Sequence, residues 1–395
     1  MPNFIAKNLK NRAYPFGKDD VEFLWEASDK SHSLIYTKSG DESFFIVKKQ
    51  DQKSQNFIIK GEKLTKPAKI GLLQKALLIY KDENTSQIIS EAMAYKPAKL
   101  PKNGEFILNI NTFIDDFNEL KSRFSKIFIE IGFGSGRHLL FQAKNHENAL
   151  VIGIEVYKPS IEQVAKLAIA QNLKNVRVIN TDARLILSLI DSNLVDKIFL
   201  HFPVPWDKQE HRRVVSAEFV NECQRVLKMG GNFELRTDSR EYFDFSLALF
   251  LNLKNAKIAL NKNENLEISS KYEDRWRKQE KDIYDLIFTC ENESLKRENL
   301  AEFEFKNSYD LAQIKQNFKD STYKDDEIFV HFEKLYVGQD RLIIKVAFGA
   351  FNKPEHCYLK LENGTCEYFI KKPLLTKQNL KAHRILEDTL AKCKV

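Results

Sequence analysis

The chain has 395 residues, a hydrophobic fraction of 43% and a formal net charge of +7, which is enough length for two or three domains with buried cores. No apolar run approaches the roughly 18 residues of a membrane span. The N-terminus shows no signal-peptide pattern, so a membrane protein is excluded and the cytoplasm is expected. Five cysteines and the histidines at 138, 146 and 201 lack ligand spacing, so neither a disulfide framework nor a metal site is expected.

Residues 1–100 are predicted to form a β-rich, Lys-rich domain. A hairpin is expected at 39–41, with further strands at 56–59 and 77–80. Between residues 48 and 81, nine lysines oppose two acids. Such a block is either a solvated face or a surface that follows nucleic-acid phosphates, and in the second case binding would weaken steeply with salt.

After a linker predicted at 96–104, apolar strands alternate with helices over 105–293. This alternation predicts an α/β fold with a Rossmann-like parallel sheet and helices on both faces. The strands are predicted at 126–131, 149–155, 176–180, 196–202, 231–236 and 283–288. The helices are predicted at 137–145, 159–171, 215–228 and 240–252, the third ending at a Gly230-Gly231 C-cap.

The last segment, 300–395, is predicted to be a second β-rich flanking domain. Long strands are expected on both sides of residues 338–340, and Asn363-Gly364 is a strong hairpin signal. Thr376 is placed to cap a final helix over 377–392. No internal repeat is apparent in the sequence, so the two flanking domains are treated as separate.

A glycine-rich loop, Glu130-Ile131-Gly132-Phe133-Gly134-Ser135-Gly136, follows the strand at 126–131. Alone it is no more than a tight turn, and its spacing differs from the G-x-G-x-x-G of dinucleotide binders. However, Glu155 ends the next strand, where an acid can accept hydrogen bonds from ribose hydroxyls, and Asp182 follows the third strand, where it can meet an adenine amine. Because Glu130 would repel a pyrophosphate, the pattern favours a phosphate-free nucleoside cofactor over a nicotinamide or flavin.

This pattern resembles class I S-adenosylmethionine-dependent methyltransferases. The resemblance implies that S-adenosyl-L-methionine is the cofactor. The residues that it assigns to cofactor binding are Glu130, Gly132, Gly134, Gly136, Glu155 and Asp182.

A second segment, Phe202-Pro203-Val204-Pro205-Trp206, ends the fourth strand, at the edge where open α/β sheets bind ligands. In isolation it would be a rigid turn with a packed tryptophan. Here it is followed by a lysine and by His-Arg-Arg, and two later segments carry Thr-Asp and Ser-Lys-Tyr-Glu. The whole set, over about residues 106–290, resembles bacterial tRNA (guanine-N7-)-methyltransferases.

That resemblance implies methylation of N7 of a guanine in the tRNA variable loop, at position 46, with tRNA as the partner. Lys208, Asp238, Ser270, Lys271, Tyr272 and Glu273 match substrate-binding positions. Arg212 and Arg213, in the basic loop, are further candidates for contact with tRNA, and we take the chain to act as a monomer.

One departure from the family concerns its usual F-P-D-P-W segment, whose aspartate is assigned to the active site; here the position is Val204. Guanine N7 already carries a lone pair, so the reaction depends on positioning and on a carboxylate near the developing charge. Asp238 and Glu273 are therefore the candidate catalytic residues. The alternatives are another RNA or small-molecule methyltransferase on this fold, or a tRNA-binding relative with weak catalysis. Because acidic residues offset part of the positive charge of the basic loop, some of the tRNA-binding surface is expected in the terminal segments.

Overall fold

The computed structural model describes residues 1–10, 12–93, 105–110, 112–351 and 353–392, and the predicted linker at 96–104 lies outside them. The chain divides into two compact units. The terminal unit joins Met1–Pro97 to Leu300–Val395, and the central unit is Ala98–Asn299. The two flanking segments, treated as separate domains in the sequence, therefore share one unit. No helix in the described ranges is long and apolar enough to cross a membrane.

The N-terminal segment contains a meander of strands followed by a helix. The predicted hairpin is confirmed, since Ser39 pairs with Glu42. The strand predicted at 77–80 is wrong, because these residues lie in a helix whose buried side chains recur at helical spacing. The elements are β1 (Asn3–Ala6), β2 (Phe16–Lys18), β3 (Val21–Ser28), β4 (His32–Ser39), β5 (Glu42–Gln50), β6 (Phe57–Gly61), α1 (Ile70–Asn84) and β7 (Ile88–Ala92).

The central unit is the predicted Rossmann-like sheet. Its elements are β8 (Ile107–Leu108), α2 (Phe113–Lys121), β9 (Lys126–Ile131), α3 (Arg137–Asn145), β10 (Ala149–Glu155), α4 (Lys158–Ala170), β11 (Val176–Asn180), α5 (Ala183–Leu189), β12 (Val195–His201), α6 (Ala217–Val226), β13 (Leu227–Thr237), α7 (Arg240–Leu251), β14 (Lys257–Lys262), α8 (Lys271–Lys278) and β15 (Tyr284–Thr289). The strand order is β14-β15-β13-β12-β9-β10-β11-β8, with β15 antiparallel to both of its neighbours. All six predicted strands and all four predicted helices are present, with small shifts at their ends.

The predicted glycine C-cap at the end of α6 is wrong. The helix ends at Val226, and Gly230 and Gly231 lie inside β13. A Cβ on Gly231 would come within 3.0 Å of the carbonyl oxygens of Val195 and Asp196. The glycine therefore permits a close approach of two strands.

The C-terminal segment consists of α9 (Leu311–Asn317), β16 (Ser321–Lys324), β17 (Ile328–Val337), β18 (Arg341–Ala350), β19 (Lys353–Glu362), β20 (Thr365–Phe369) and α10 (Lys377–Ala391). The Asn363-Gly364 hairpin is confirmed by the pairing of Glu362 with Thr365. The predicted cap is also confirmed, since the Thr376 side chain accepts a hydrogen bond from the Asn379 N–H.

The terminal unit contains an internal structural repeat that the sequence does not reveal. In each half, four antiparallel strands are followed by a helix of 15 residues: β3–β6 with α1, and β17–β20 with α10. A short strand, β2 or β16, pairs with the first strand of each meander, and that first strand carries a register shift. The halves join where β3 and β17 pair antiparallel, at Ser28 and Val337. The result is one 12-stranded sheet.

Candidate active site

The glycine loop between β9 and α3 needs glycine at three positions. Gly132, Gly134 and Gly136 have φ values of 69°, 51° and 74°, in the left-handed region. A Cβ on Gly136 would lie 2.2 Å from a methyl of Val164, so this glycine also lets α4 pack against the loop. Beside Gly132 a Cβ would meet nothing within 4 Å, so the loop leaves open space at the end of β9.

Two predicted cofactor carboxylates are fixed at the same edge of the sheet. The Glu155 carboxylate accepts hydrogen bonds from the Gly134 N–H at 3.1 Å and from the N–H groups of Val156 and Tyr157 at 2.8 and 2.9 Å. Asp182 caps α5 and holds the Arg184 guanidinium at 2.8 and 3.0 Å. Since a carboxylate has about four acceptor positions, Glu155 can still accept a hydrogen bond from a ligand.

Glu130 is 4% exposed and lies directly beneath the loop. Its Oε2 is 2.8 Å from Nδ1 of His138. Burial lowers the His138 pKa, but the charge and hydrogen bond of Glu130 outweigh burial and leave that pKa above its ordinary value. Glu130 Oε1 makes no hydrogen bond within the described residues, so it is the oxygen that a ligand could reach.

His138 also belongs to a buried row that sequence reasoning missed. Its ring centre is 4.5 Å from that of His201, whose Nε2 is 2.8 Å from the Glu234 carboxylate. The two imidazoles therefore lie between two carboxylates, under the loop and at the start of the Pro-Trp segment. The contacts of these histidines could not be predicted from the sequence, because they join residues of three separate strands and a helix. Among the residues described, no group of three or more His, Cys, Asp or Glu could hold a metal ion.

These residues fit the cofactor that the resemblance implies. S-adenosylmethionine carries positive charge on its sulfur and its ammonium group and has no phosphate. The open space beside Gly132 is adjacent to carboxylates, which favour a cation.

Arg213 holds the Pro-Trp segment in place. The Arg213 side chain is fully buried, donates from Nε to the Pro205 carbonyl at 2.8 Å and pairs with Glu241 at 2.9 Å. Arg213 is therefore buried beneath the Pro-Trp segment, and its predicted contact with tRNA stays a prediction. Arg212 is exposed and lies 4.9 Å from the centre of the Trp206 ring. Lys208 is also exposed.

The two candidate catalytic carboxylates have different surroundings. Asp238 accepts a hydrogen bond from Lys281 at 2.9 Å, and its side chain is 19% exposed. Glu273 is 2% exposed and accepts hydrogen bonds from Arg236 at 2.9 Å and from Arg277 at 2.8 Å. Arg236 is itself fully buried and donates two 2.7 Å hydrogen bonds to Asp285. Glu273 is therefore part of a buried ion-pair network.

The segment 270–273 begins α8, and the Ser270 hydroxyl caps that helix by accepting from the Glu273 N–H at 3.0 Å. The side chains of Lys271 and Tyr272 lie outside the described part of the structure. An ion pair of 2.7 Å joins Arg137, the first residue after the glycine loop, to Asp274 on α8. This pair, which no motif indicated, brings the predicted cofactor loop and the predicted substrate segment together.

Comparisons with known proteins identify the family of the chain. Residues 125–286 match a family model described as "Putative methyltransferase". A tRNA (guanine-N(7)-)-methyltransferase of Campylobacter fetus is 53% identical over 397 residues, covering 99% of this chain and 99% of that protein. The chain belongs to the tRNA (guanine-N(7)-)-methyltransferase family.

The similarity to this methyltransferase family extends over the terminal unit as well as the central one. The Wolinella succinogenes tRNA (guanine-N(7)-)-methyltransferase is 36% identical, covering 99% of this chain and 100% of that protein. Among solved structures, "Structure of an Antibiotic Related Methyltransferase" matches with a TM-score of 0.37 and 19% identity, covering 48% of this chain and 98% of that chain.

Proposed function

We propose that the chain transfers the methyl group of S-adenosyl-L-methionine to N7 of a guanine in tRNA, giving N7-methylguanosine. The observation that carries this proposal is the left-handed glycine loop with the Glu155 carboxylate fixed to the Gly134 N–H, in a chain of this family. By family resemblance the target is the guanine at position 46, in the variable loop. We take tRNA as the partner and the cytoplasm as the location, and treat the chain as a monomer.

The protein's part in this reaction is positioning and charge stabilisation. S-adenosylmethionine supplies, when bound, an electrophilic methyl group on its sulfonium. Guanine N7 needs no base, so the glycine loop and the carboxylates of Glu155 and Asp182 serve to orient the cofactor. As N7 becomes methylated, positive charge develops on the purine, and a carboxylate at the cleft lowers the energy of that state. We assign this role to Asp238, which is partly exposed at the end of β13.

Glu273 acts differently in this proposal. Its carboxylate is occupied by Arg236 and Arg277, so it holds the start of α8 in place. Ser270 then contacts the substrate from a helix end that Glu273 keeps fixed. Glu273 is thus a positioning residue, while Lys208 and Arg212, both exposed, supply charge for tRNA phosphates.

The test uses the purified chain, labelled S-adenosylmethionine and unmodified tRNA, with digestion to nucleosides. We expect the label in N7-methylguanosine. Label in another nucleoside would instead support a different RNA methyltransferase. Cofactor and tRNA binding without transfer would support a weakly catalytic relative, for which Val204 is the specific reason.

A pair of matched variants tests the role of Asp238. Asp238→Asn should lower the rate of methyl transfer while leaving tRNA binding measurable. Asp244→Asn on α7, which also removes one carboxylate from an ion pair with a basic residue, should leave the rate unchanged. Equal rates in the two variants would remove Asp238 from the mechanism.

A further inference from the structure

Within the described part of the terminal unit, the helices α1, α9 and α10 pack on one face of the sheet. Because side chains alternate along a strand, neighbouring residues point to opposite faces. Ile35, Phe44 and Ile46 pack in a core with α1, and Leu342 and Ile344 pack in a core with α9 and α10. Their neighbours belong to a third cluster, made of strand and loop residues from both halves: Ala27, Leu34, Phe45, Tyr336, Ile343 and Tyr358.

A cleft of about 530 Å³ opens on this second face, which we call the junction cleft. Its apolar floor includes Leu34 and Val47 from the first repeat and Tyr336 and Tyr358 from the second. Both halves of the repeat thus contribute to it, and neither half alone would form it.

Lysines surround the junction cleft in excess over carboxylates. The cleft is lined by Lys60, Lys63, Lys334 and Lys345, with Glu62 and Glu333 as the acids. Lys345 is paired with Glu333 at 2.5 Å, and Lys334 is paired with Asp29.

Lys60 and Lys63 are exposed and have no ion-pair partner in the described ranges. His32 also lines the cleft. Burial, together with the charges of Lys334, Lys49 and Lys60, holds the His32 pKa below its ordinary value in spite of Asp29. The two lysines, unpaired in the described part of the chain, leave an excess of positive charge at the cleft, and an anion placed there would be stabilised.

We propose that the junction cleft binds the phosphate backbone of tRNA, at a place on the tRNA other than the methylated guanine. The inference rests on the proposed function, because tRNA is the polyanion that this enzyme must hold. Lysine heads suit phosphates as point charges. The basic block at 48–81 thus contributes to tRNA binding through Lys60 and Lys63, and the C-terminal repeat contributes Lys334 and Lys345.

The repeat also determines how this can be tested. Removing residues 1–100 would remove β3–β6, which supply half of the shared sheet and of the third cluster, so loss of binding by that truncation would have two explanations, misfolding and lost lysines. Point substitutions avoid the difficulty because Lys60 and Lys63 are exposed and make no ion pair in the described structure.

The experiment compares Lys60→Ala/Lys63→Ala with Lys315→Ala/Lys319→Ala in the full chain. The control removes the same charge from exposed positions at α9, which packs on the helix-covered face. Binding of tRNA is measured between about 50 and 200 mM salt, where each lost phosphate contact lowers the salt slope by about 0.7 to 0.9. For the cleft variant we expect a slope smaller by about 1.5 and binding weaker by on the order of tenfold. The control should match the unmodified chain, and Lys60→Arg/Lys63→Arg should restore binding.

The outcomes separate this inference from the proposed function. Methylation by the cleft variant at saturating tRNA should reach the normal rate, with a raised KM for tRNA. An unchanged slope and KM, with normal methylation, would overturn the cleft assignment and leave the function intact. Equal losses in the cleft variant and the α9 control would also overturn it, since net charge alone would then explain the effect. Absence of N7-methylguanosine with the unmodified chain would overturn the function itself.

Discussion

Replacing Glu273 by alanine should affect stability before it affects chemistry. The substitution leaves the buried Arg236 with the Asp285 carboxylate and the Glu264 carbonyl, and it removes the buried carboxylate partner of Arg277. Breaking a buried ion pair by removing one partner costs about 3 to 5 kcal/mol. For a unit of this size, each kcal/mol shifts Tm by about 2 to 4 °C, so we expect a drop of about 6 to 20 °C.

Asp238→Ala gives the contrasting case. The Asp238–Lys281 pair has side chains that are 19% and 42% exposed, so solvent screens it. Such a pair contributes at most about 1 kcal/mol, which corresponds to a Tm change below about 4 °C. The loss should therefore appear in the rate of methyl transfer.

Thermal unfolding and single-turnover methylation, measured on both variants, distinguish the two roles. Below its lowered Tm, Glu273→Ala should retain part of its activity, and Glu273→Gln should be less destabilised because it keeps a hydrogen-bond acceptor. A Glu273→Ala protein with an unchanged Tm and no turnover would refute the reasoning, since Glu273 would then act on the substrate directly.

Three further predictions concern the site. Gly136→Ala should weaken cofactor binding in calorimetry. It should lower the free energy of unfolding by more than the about 1 to 2 kcal/mol of left-handed strain, because a Cβ there lies 2.2 Å from a methyl of α4. Gly230→Ala, with a φ of 82° and no neighbour within 4 Å, is the control for strain alone. Glu130→Gln should lower the His138 pKa in an NMR titration. The raised pKa stabilises the folded state fully below about pH 6.5, and this stabilisation is lost as pH rises through the folded-state pKa. It should be absent in the variant. An unshifted titration of His138 would contradict its pairing with Glu130. Val204→Asp, at a position 61% exposed, should leave Tm unchanged and raise kcat about three- to tenfold, and a lower kcat would contradict the proposed need for charge there.

The central sheet could be predicted because its strands are continuous apolar runs ending at glycine or acid, as at 126–132 and 149–155. A run of four apolar residues fits a strand and a helix equally well. Residues 77–80 belong to a helix, because burial recurs at helical spacing in Leu73, Ala76 and Leu77. The repeat could not be seen in the sequence because its two halves share the lengths and the pairing of their elements but not their amino-acid sequence. Leu24 and Glu333, for example, occupy the register shifts of the two inner strands.

The sequence motifs predicted only part of the candidate site. The glycine loop is confirmed as a left-handed turn, because the glycines themselves demand that backbone. Burial was not predictable from the motifs. Arg213 and Glu273 stand in sequence next to exposed charges, yet their partners, Glu241 and Arg236, come from other elements.

The interrupted terminal sheet has a consequence for how the chain is made. The first repeat leaves the ribosome before the whole central unit, of about 200 residues, and the second repeat follows it. About 300 residues separate β3 from β17, so at about 5 to 20 residues per second β3 waits roughly 15 to 60 s for β17. During that time the side chains of Trp25 and Tyr36 lack the C-terminal partner, Phe369, that packs against them. A chain that stops after residue 299 would keep these aromatic side chains uncovered permanently, so premature termination should yield an aggregating protein even though the methyltransferase unit is complete.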